Sequence, residues 1–136
     1  MIEIMKMFIT AHYNVHQVNS DLGQLRKAVR DAGMDDFCFA EDITREFTTP
    51  KDLWECALSK IINCDALLID VSDAPSGGRV VEVGIAYALN KPIFVIVKNG
   101  NEYKEMYDGL ATQIIRYDDY NDIAKTLSHY VASLQL

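Results

Sequence analysis

The stretch that decides the fold is residues 66–98, ALLIDVSDAPSGGRVVEVGIAYALNKPIFVIVK. Two near-continuous apolar runs, Ala66–Val71 and Pro92–Lys98, enclose a mainly apolar segment, Gly78–Asn90, that we interpret as a helix. Apolar runs without polar alternation are typical of strands buried on both faces of a parallel sheet. Because parallel neighbours need a crossover connection, usually a helix, the stretch predicts a strand–helix–strand unit.

The same alternation continues toward both ends of the chain. The other predicted strands are Lys6–Ala11, Phe37–Ala40 and Thr112–Tyr117, and the other predicted helices are Gln17–Ala32, one capped by Thr49, Lys104–Leu110 and Tyr120–Leu134. Five strands with intervening helices predict an α/β fold, a doubly wound five-stranded parallel sheet with the flavodoxin-like order 2-1-3-4-5 and helices on both faces. With 136 residues, we expect residues 1–136 to form a single domain.

Two of these helices carry specific packing expectations. The helix after Thr49 has Pro at its first position, and its core-facing residues are predicted to be Leu53, Trp54, Ala57, Leu58, Ile61 and Ile62. The apolar stripe of the last helix is predicted to be Ile123, Leu127, Val131 and Leu134.

The charge balance limits the class of partner. The net charge of −7 argues against a nucleic-acid polymer or an anionic membrane, because both need clustered Lys and Arg. No apolar run reaches the roughly 18 residues that a membrane span requires. The odd set of Cys38, Cys56 and Cys64 lacks metal-type spacing and indicates reduced thiols in a cytoplasmic protein. We predict neither a metal nor another cofactor.

Ligands of such sheets bind at the carboxyl ends of the strands, where the strand order reverses. Here that edge is formed by the loops after the first and third strands, His12–Val15 and Ser72–Gly78. Ser76 is a good helix N-cap, Gly77 and Gly78 allow close approach to a ligand, and free amides at a helix start bind anions. An equally simple interpretation is a capped helix after a flexible turn.

Glu82 is the one carboxylate in an otherwise apolar helix. A carboxylate that is buried without a partner is costly, so it is normally paired, exposed or protonated. Pairing with Arg79, one turn earlier, is one explanation. The other is that Glu82 faces the cleft above the first and third strands, as a nucleophile or a base. The residues alone leave both open.

A family resemblance rests on Asn63–Asp70, Pro75–Gly78, Glu82–Leu89 and the pair Lys91-Pro92. These motifs and their spacing resemble the nucleoside 2-deoxyribosyltransferase family, most clearly over residues 61–98. The resemblance implies that Glu82 is the nucleophile. It would attack C1′ of a deoxyribosyl group, form a covalent glycosyl ester and release the base, after which a second base or water completes transfer or hydrolysis.

The resemblance also assigns the neighbouring residues. Ser76, Gly77, Gly78 and Arg79 would contact the substrate. Nucleoside transferases of the family usually carry an Asp six residues before the nucleophile, where this chain has Ser76, whereas the related deoxynucleoside 5′-monophosphate N-glycosidases carry Pro-Ser-x-Gly there. Ser in place of an acid removes repulsion and adds a donor, so Ser76 favours a 5′-monophosphate substrate.

The chain also departs from the family pattern. The family usually has, on the helix before the third strand, an Asp that handles the proton on the leaving base, and the matching position in this chain is Ala57. Nearby Glu55 is the candidate acid, although an exposed position is expected for it. The loop of Ala11 and Tyr13 takes the place of the base-and-sugar loop. Lys104 aligns with a position that reaches into a neighbouring subunit, and the resemblance implies a homo-oligomer.

The partner expected from this reasoning is a small-molecule nucleoside or nucleotide. Because the helix Asp is missing, a non-catalytic nucleotide-binding or signalling module on the same fold is the alternative. A receiver domain is disfavoured, because the first strand ends in Ala11-His12 rather than in an acid cluster.

Overall fold

The computed structural model describes residues 4–11 and 21–135. Its strands are β1 (Lys6–Thr10), β2 (Asp35–Cys38), β3 (Ala66–Asp70), β4 (Ile93–Lys98) and β5 (Gln113–Tyr117). Its α-helices are α1 (Asp21–Asp31), α2 (Phe39–Asp42), α3 (Pro50–Asn63), α4 (Gly77–Ala88) and α5 (Tyr120–Ser133), with a 3-10 helix at Glu105–Gly109.

The five strands form one parallel sheet in the order β2-β1-β3-β4-β5, which confirms the predicted fold class. The chain runs outward from β1 to β2 on one side and from β3 through β5 on the other. The order therefore reverses between β1 and β3, where Thr10 lies opposite Ile69. This crevice at the carboxyl edge is the place where open α/β sheets bind ligands.

Each face of the sheet is covered by its own pair of helices. Met7 and Ile9 of β1 pack in one core with residues of α1 and α5. Phe8 of β1 packs in the other core with residues of α3 and α4. Since side chains alternate along a strand, Thr10 belongs to the α3–α4 face with Phe8.

Side-chain caps fix the starts of the long helices. Thr49 caps α3 by accepting a hydrogen bond from the Asp52 amide, with Pro50 in the first helical position as predicted. Asp119 caps α5 through a capping box with Asp122. At the C-terminal end of α4, Asn90 has a φ of 58°, which is not helical. The helix therefore ends at Ala88 rather than at the predicted Asn90.

The predicted second strand, Phe37–Ala40, was placed two residues too late. The strand is Asp35–Cys38, and Phe39 and Ala40 belong to the short helix α2. The Asp42 carboxylate accepts a hydrogen bond from the Cys38 amide at 2.9 Å and binds Arg26 of α1, which turns the chain into this helix.

Two packing predictions for the helices were wrong. Leu58 and Ile62 of α3 are 40% and 48% exposed, because Ala57 and Ile61 are the residues that meet the sheet. Leu134 lies beyond the end of α5 and is 53% exposed. Residues 17–20 of the predicted helix Gln17–Ala32 lie outside the described residues.

Across the described ranges, 4–11 and 21–135, none of the helices has the length and apolar character needed to cross a membrane.

Candidate active site

The loop after β3 leads into α4 through a capped and open helix start. The Ser76 Oγ accepts a hydrogen bond from the Arg79 amide at 3.4 Å. A Cβ atom at Gly77 would meet no described residue within 4 Å, and one at Gly78 would lie 4.0 Å from the Trp54 ring. Packing against the described residues therefore does not require glycine at either position.

Glu82 lies one turn into α4 and reaches the end of β1. The Thr10 Oγ1 donates a hydrogen bond to the Glu82 Oε1 at 3.1 Å. Thr10 is buried, and Glu82 is partly buried. The carboxylate thus lies at the β1–β3 crevice that the strand order identifies as the ligand edge.

Burial changes the protonation of Glu82. Desolvation raises the pKa of Glu82 from 4.5 to about 7, and the hydrogen bond from Thr10 and the charge of Arg79 limit the rise. At neutral pH the ionised and protonated forms are therefore both populated. A carboxyl group in this state can act as a nucleophile or as a base.

The Arg79 guanidinium is held at the end of β3. It donates a hydrogen bond through Nη2 to the Asp70 carbonyl, and its Nη1 lies 3.5 Å from the Asp73 Oδ1. The side chain is 12% exposed, and its buried Nε has no hydrogen-bond partner among the described residues. Within the described residues, Arg79 and Glu82 form no ion pair, and Arg79 acts on the Glu82 carboxyl group through its charge.

The β3–α4 loop is tied to the rest of the carboxyl edge. The Asp70 carboxylate accepts hydrogen bonds from the Ser72 amide at 2.9 Å and from the Tyr117 hydroxyl at 2.8 Å. The Ser72 Oγ accepts one from the Lys98 amide at 2.8 Å. These contacts connect the loop before α4 to β4 and β5, so the start of α4 is held in place.

Two of the other predicted site residues, Ala11 and Glu55, lie in described parts of the chain near the start of the site and on α3. Ala11 follows Thr10 and is partly buried, whereas Tyr13 lies outside the described residues. Glu55 is 67% exposed, and its Oε1 lies 3.9 Å from the Lys51 Nζ. The structure therefore places Glu55 on the solvent side of α3, as its helical position predicted.

Lys104 lies in a separate cavity of about 390 Å³. The cavity is bounded by the β3–α4 loop, the 3-10 helix and Val80 of α4. Val80 and Glu82 are two residues apart on the helix, about 200° around its axis, so the cavity lies on another side of α4. Within one chain, Lys104 and Glu82 are not brought together.

Sequence reasoning missed Thr10 and the Asp70–Tyr117 contact. The signal for Thr10 was available: it shares the face of Phe8 and is a polar residue at an inward position of a buried strand. Asp70 and Tyr117 are 47 residues apart, and nothing local to either residue indicates their contact.

The described residues contain no group of three or more His, Cys, Asp or Glu side chains placed to hold a metal ion. Their three cysteines are free, with Cys38 and Cys64 buried.

Comparison with known proteins identifies one family. A family model described as nucleoside 2-deoxyribosyltransferase matches residues 15–127, most of the chain. No curated protein matches the sequence.

Solved structures share the fold. A 2-deoxyribosyltransferase from Bacillus psychrosaccharolyticus has a TM-score of 0.69 and 20% identity, over 90% of this chain and 95% of that one. The CMP N-glycosidase BcmB of Clostridium botulinum has a TM-score of 0.68 and 18% identity, over 92% of this chain and 98% of that one. At these identities the likeness shows the fold.

Proposed function

The chain belongs to the nucleoside 2-deoxyribosyltransferase family, and from that premise we propose that it cleaves or transfers the N-glycosidic bond of a nucleoside, a deoxynucleoside or a nucleoside 5′-monophosphate. The observation that carries the proposal is Glu82, a partly buried carboxylate at the β1–β3 crevice, held through one oxygen by Thr10. It is a carboxylate in a fixed position at the edge where the fold binds ligands.

In the proposed reaction, the ionised Glu82 attacks C1′ of the sugar. A bond forms between a carboxylate oxygen and C1′, while the bond from C1′ to the base nitrogen breaks and its electron pair leaves with the base. The departing base takes up a proton from solvent, and the water or second base that attacks C1′ in the next step returns one. A second base or water then attacks C1′ and the carboxylate leaves, so the configuration at C1′ is retained after two displacements.

The open start of α4 suits the 5′ end of the substrate. The Ser76 Oγ accepts from the Arg79 amide, which leaves its hydroxyl proton free for a ligand oxygen. No described residue lies within 4 Å of a Cβ atom placed at Gly77, and a helix N-terminus favours an anionic group. We therefore propose that Ser76, Gly77, Gly78 and Arg79 contact the sugar or a 5′-phosphate, with the monophosphate preferred.

We also propose a homo-oligomer, with Lys104 or Glu55 of one subunit near the site of the next. Leu58 and Ile62 of α3 and Val81 of α4 are exposed apolar residues on the two helices that cover one face of the sheet. They support the proposed interface, because exposed apolar area that forms one patch is typical of sites of protein association. The free cysteines support the proposed cytoplasmic location.

The test incubates the protein with a panel of nucleosides, deoxynucleosides and their 5′-monophosphates. The release of free base is measured by chromatography. We expect release by the unaltered protein, loss of release in Glu82→Ala and Glu82→Gln, and, by intact-mass spectrometry, an adduct on the unaltered protein with the mass of the substrate's sugar or sugar phosphate. Glu105→Gln, which alters an exposed carboxylate of the 3-10 helix, is the matched control and should keep its activity. Release that persists in Glu82→Gln would refute the role of Glu82.

The exposure of Glu55 favours a second candidate, a non-catalytic nucleotide-binding module. With Glu55 on the solvent side of α3, the described part of one chain supplies no identified donor for the proton on the leaving base. The same panel separates the candidates. Nucleotide binding in calorimetry without base release from any substrate would favour the module.

A further inference from the structure

We infer that Thr10 is the positioning residue of Glu82: its hydroxyl, fixed on β1, holds one carboxylate oxygen and leaves the other available to the substrate. The inference rests on the proposed role of Glu82 and extends it to a residue of another element. Thr10 is 5% exposed, and its neighbours along β1, Phe8 and Ile9, are fully buried apolar residues.

The position of Thr10 in the sheet makes it a rigid anchor. It is the last residue of β1 and lies opposite Ile69 of β3, in the middle of a parallel sheet. Rotation about a single bond, Cα–Cβ, sets the position of the Thr10 hydroxyl oxygen, and branching at Cβ restricts that rotation. A hydroxyl fixed in this way restricts Glu82, whose longer side chain would otherwise sample several rotamers.

The hydrogen bond is directed at one oxygen. The Thr10 Oγ1 lies 3.1 Å from the Glu82 Oε1, and among the described residues no hydrogen bond reaches Oε2. A donor to an ionised carboxylate stabilises the charged form. The contact therefore does two things: it orients Oε2 and it opposes the protonation that burial promotes.

Among the described residues, the other charged groups around Glu82 leave this role to Thr10. From its own helix, Arg79 contributes charge, but its guanidinium contacts Asp70 and Asp73. From β3, the Asp70 carboxylate is bound by Ser72 and Tyr117. From α3, Trp54 approaches the start of α4 at Gly78, and the nearest ionisable residues in sequence are the exposed Glu55 and the partly buried Cys56.

The test compares Thr10→Val, which keeps the shape and removes the donor, with Thr10→Ser, which keeps the donor. Thr126→Val is the matched control, because the Thr126 hydroxyl donates to the Asp122 carbonyl within α5, on the opposite face of the sheet. The primary readout is a carbon-13 NMR titration of the Glu82 carboxyl, assigned by its absence in Glu82→Gln. The titration can be measured on a protein without activity, so its outcome does not depend on whether the proposed function is correct.

We expect the midpoint of the Glu82 titration to rise by about one pH unit in Thr10→Val, which is the size expected for loss of a hydrogen bond to a charged group. Thr10→Ser and Thr126→Val should titrate as the unaltered protein does. If base release is detected, its kcat/KM in Thr10→Val should fall about tenfold or more at pH 6, where the ionised fraction falls by that factor. It should also stay below that of the unaltered protein at pH 9, where Glu82 is ionised in both and only its orientation is lost.

Two results would overturn the inference. An unchanged titration in Thr10→Val, with the variant folded by thermal unfolding, would mean that the hydroxyl does not hold the carboxylate. A rise in Thr10→Ser as large as in Thr10→Val would mean that the packing of the methyl group, and not the hydroxyl, sets the state of Glu82.

Discussion

Replacing Glu82 by Gln should stabilise the protein at alkaline pH, because it removes an ionisable group from a partly buried position and keeps an oxygen that can accept the hydrogen bond from Thr10. Folding raises the pKa of Glu82 from 4.5 to about 7. Between these values the unfolded chain has released a proton that the folded protein retains, so the free energy of unfolding falls as the pH rises.

The magnitude follows from the two pKa values of Glu82. They differ by about 2.5, and at about 1.4 kcal/mol for each unit the ionised carboxylate costs about 3 kcal/mol of stability above pH 7. Below pH 4.5 the cost disappears, because the group is protonated in both states. For a domain of this size, about 3 kcal/mol corresponds to roughly 10 °C in the midpoint of thermal unfolding.

The assay is thermal unfolding followed by circular dichroism between pH 4 and pH 8. The midpoint of Glu82→Gln should exceed that of the unaltered protein by roughly 10 °C at pH 8 and by little at pH 4. Glu105→Gln, at an exposed position, should show no such trend. Equal midpoints of Glu82→Gln and the unaltered protein at pH 8 would refute the reasoning, as would a gain that is the same at pH 4 and pH 8.

Three further substitutions test the supports of the site and of the fold, each by urea unfolding. Ser76→Ala removes the cap of α4 and should cost about 1 kcal/mol, whereas Ser76→Asp keeps a capping oxygen and should cost little; a similar cost for both would contradict the capping role. Tyr117→Phe removes one donor to the Asp70 carboxylate and should cost about 2 kcal/mol, and an unchanged midpoint would show that solvent replaces this contact. Arg26→Met leaves Asp36 of β2 and Glu41 and Asp42 of α2 without their shared cation and should cost about 2 kcal/mol at pH 7; an unchanged midpoint would mean that these ion pairs do not contribute to stability.

Local signals explain the part of the fold that the sequence predicts correctly. The runs at β3 and β4 are apolar on both faces, as a central parallel strand requires, and Thr49 with Pro50 marks the start of α3. The error at β2 has a different origin. Phe39 continues the apolar run after Cys38, but the chain turns there because Asp42 binds the Cys38 amide and Arg26, a contact between residues 16 apart.

The candidate site, like the fold, has a part that local sequence signals predict and a part that depends on contacts between distant residues. The position of Glu82 at the carboxyl edge follows from the spacing between β3 and α4 and from the strand order, both of which the sequence predicts. Thr10 lies 72 residues from Glu82, and its contact requires the register of β1 against β3 together with the rotation of α4. The exposure of Leu58 and Ile62 has a similar cause, since both are apolar residues at helical spacing and only the position of the sheet excludes them from the core.

The placement of Arg79 decides what Glu82 can do. A direct pair between these neighbours, one turn apart on α4, would hold the carboxylate ionised and would occupy its oxygens. Instead the Asp70 carbonyl and the Asp73 carboxylate bind the guanidinium, so its charge acts on Glu82 only at longer range. Among the described residues, Glu82 is left with a single neutral donor, Thr10, and with a pKa raised by burial. A carboxylate held in this way is less stabilised than an ion-paired one. Because its charge is less stabilised, it is the more reactive nucleophile.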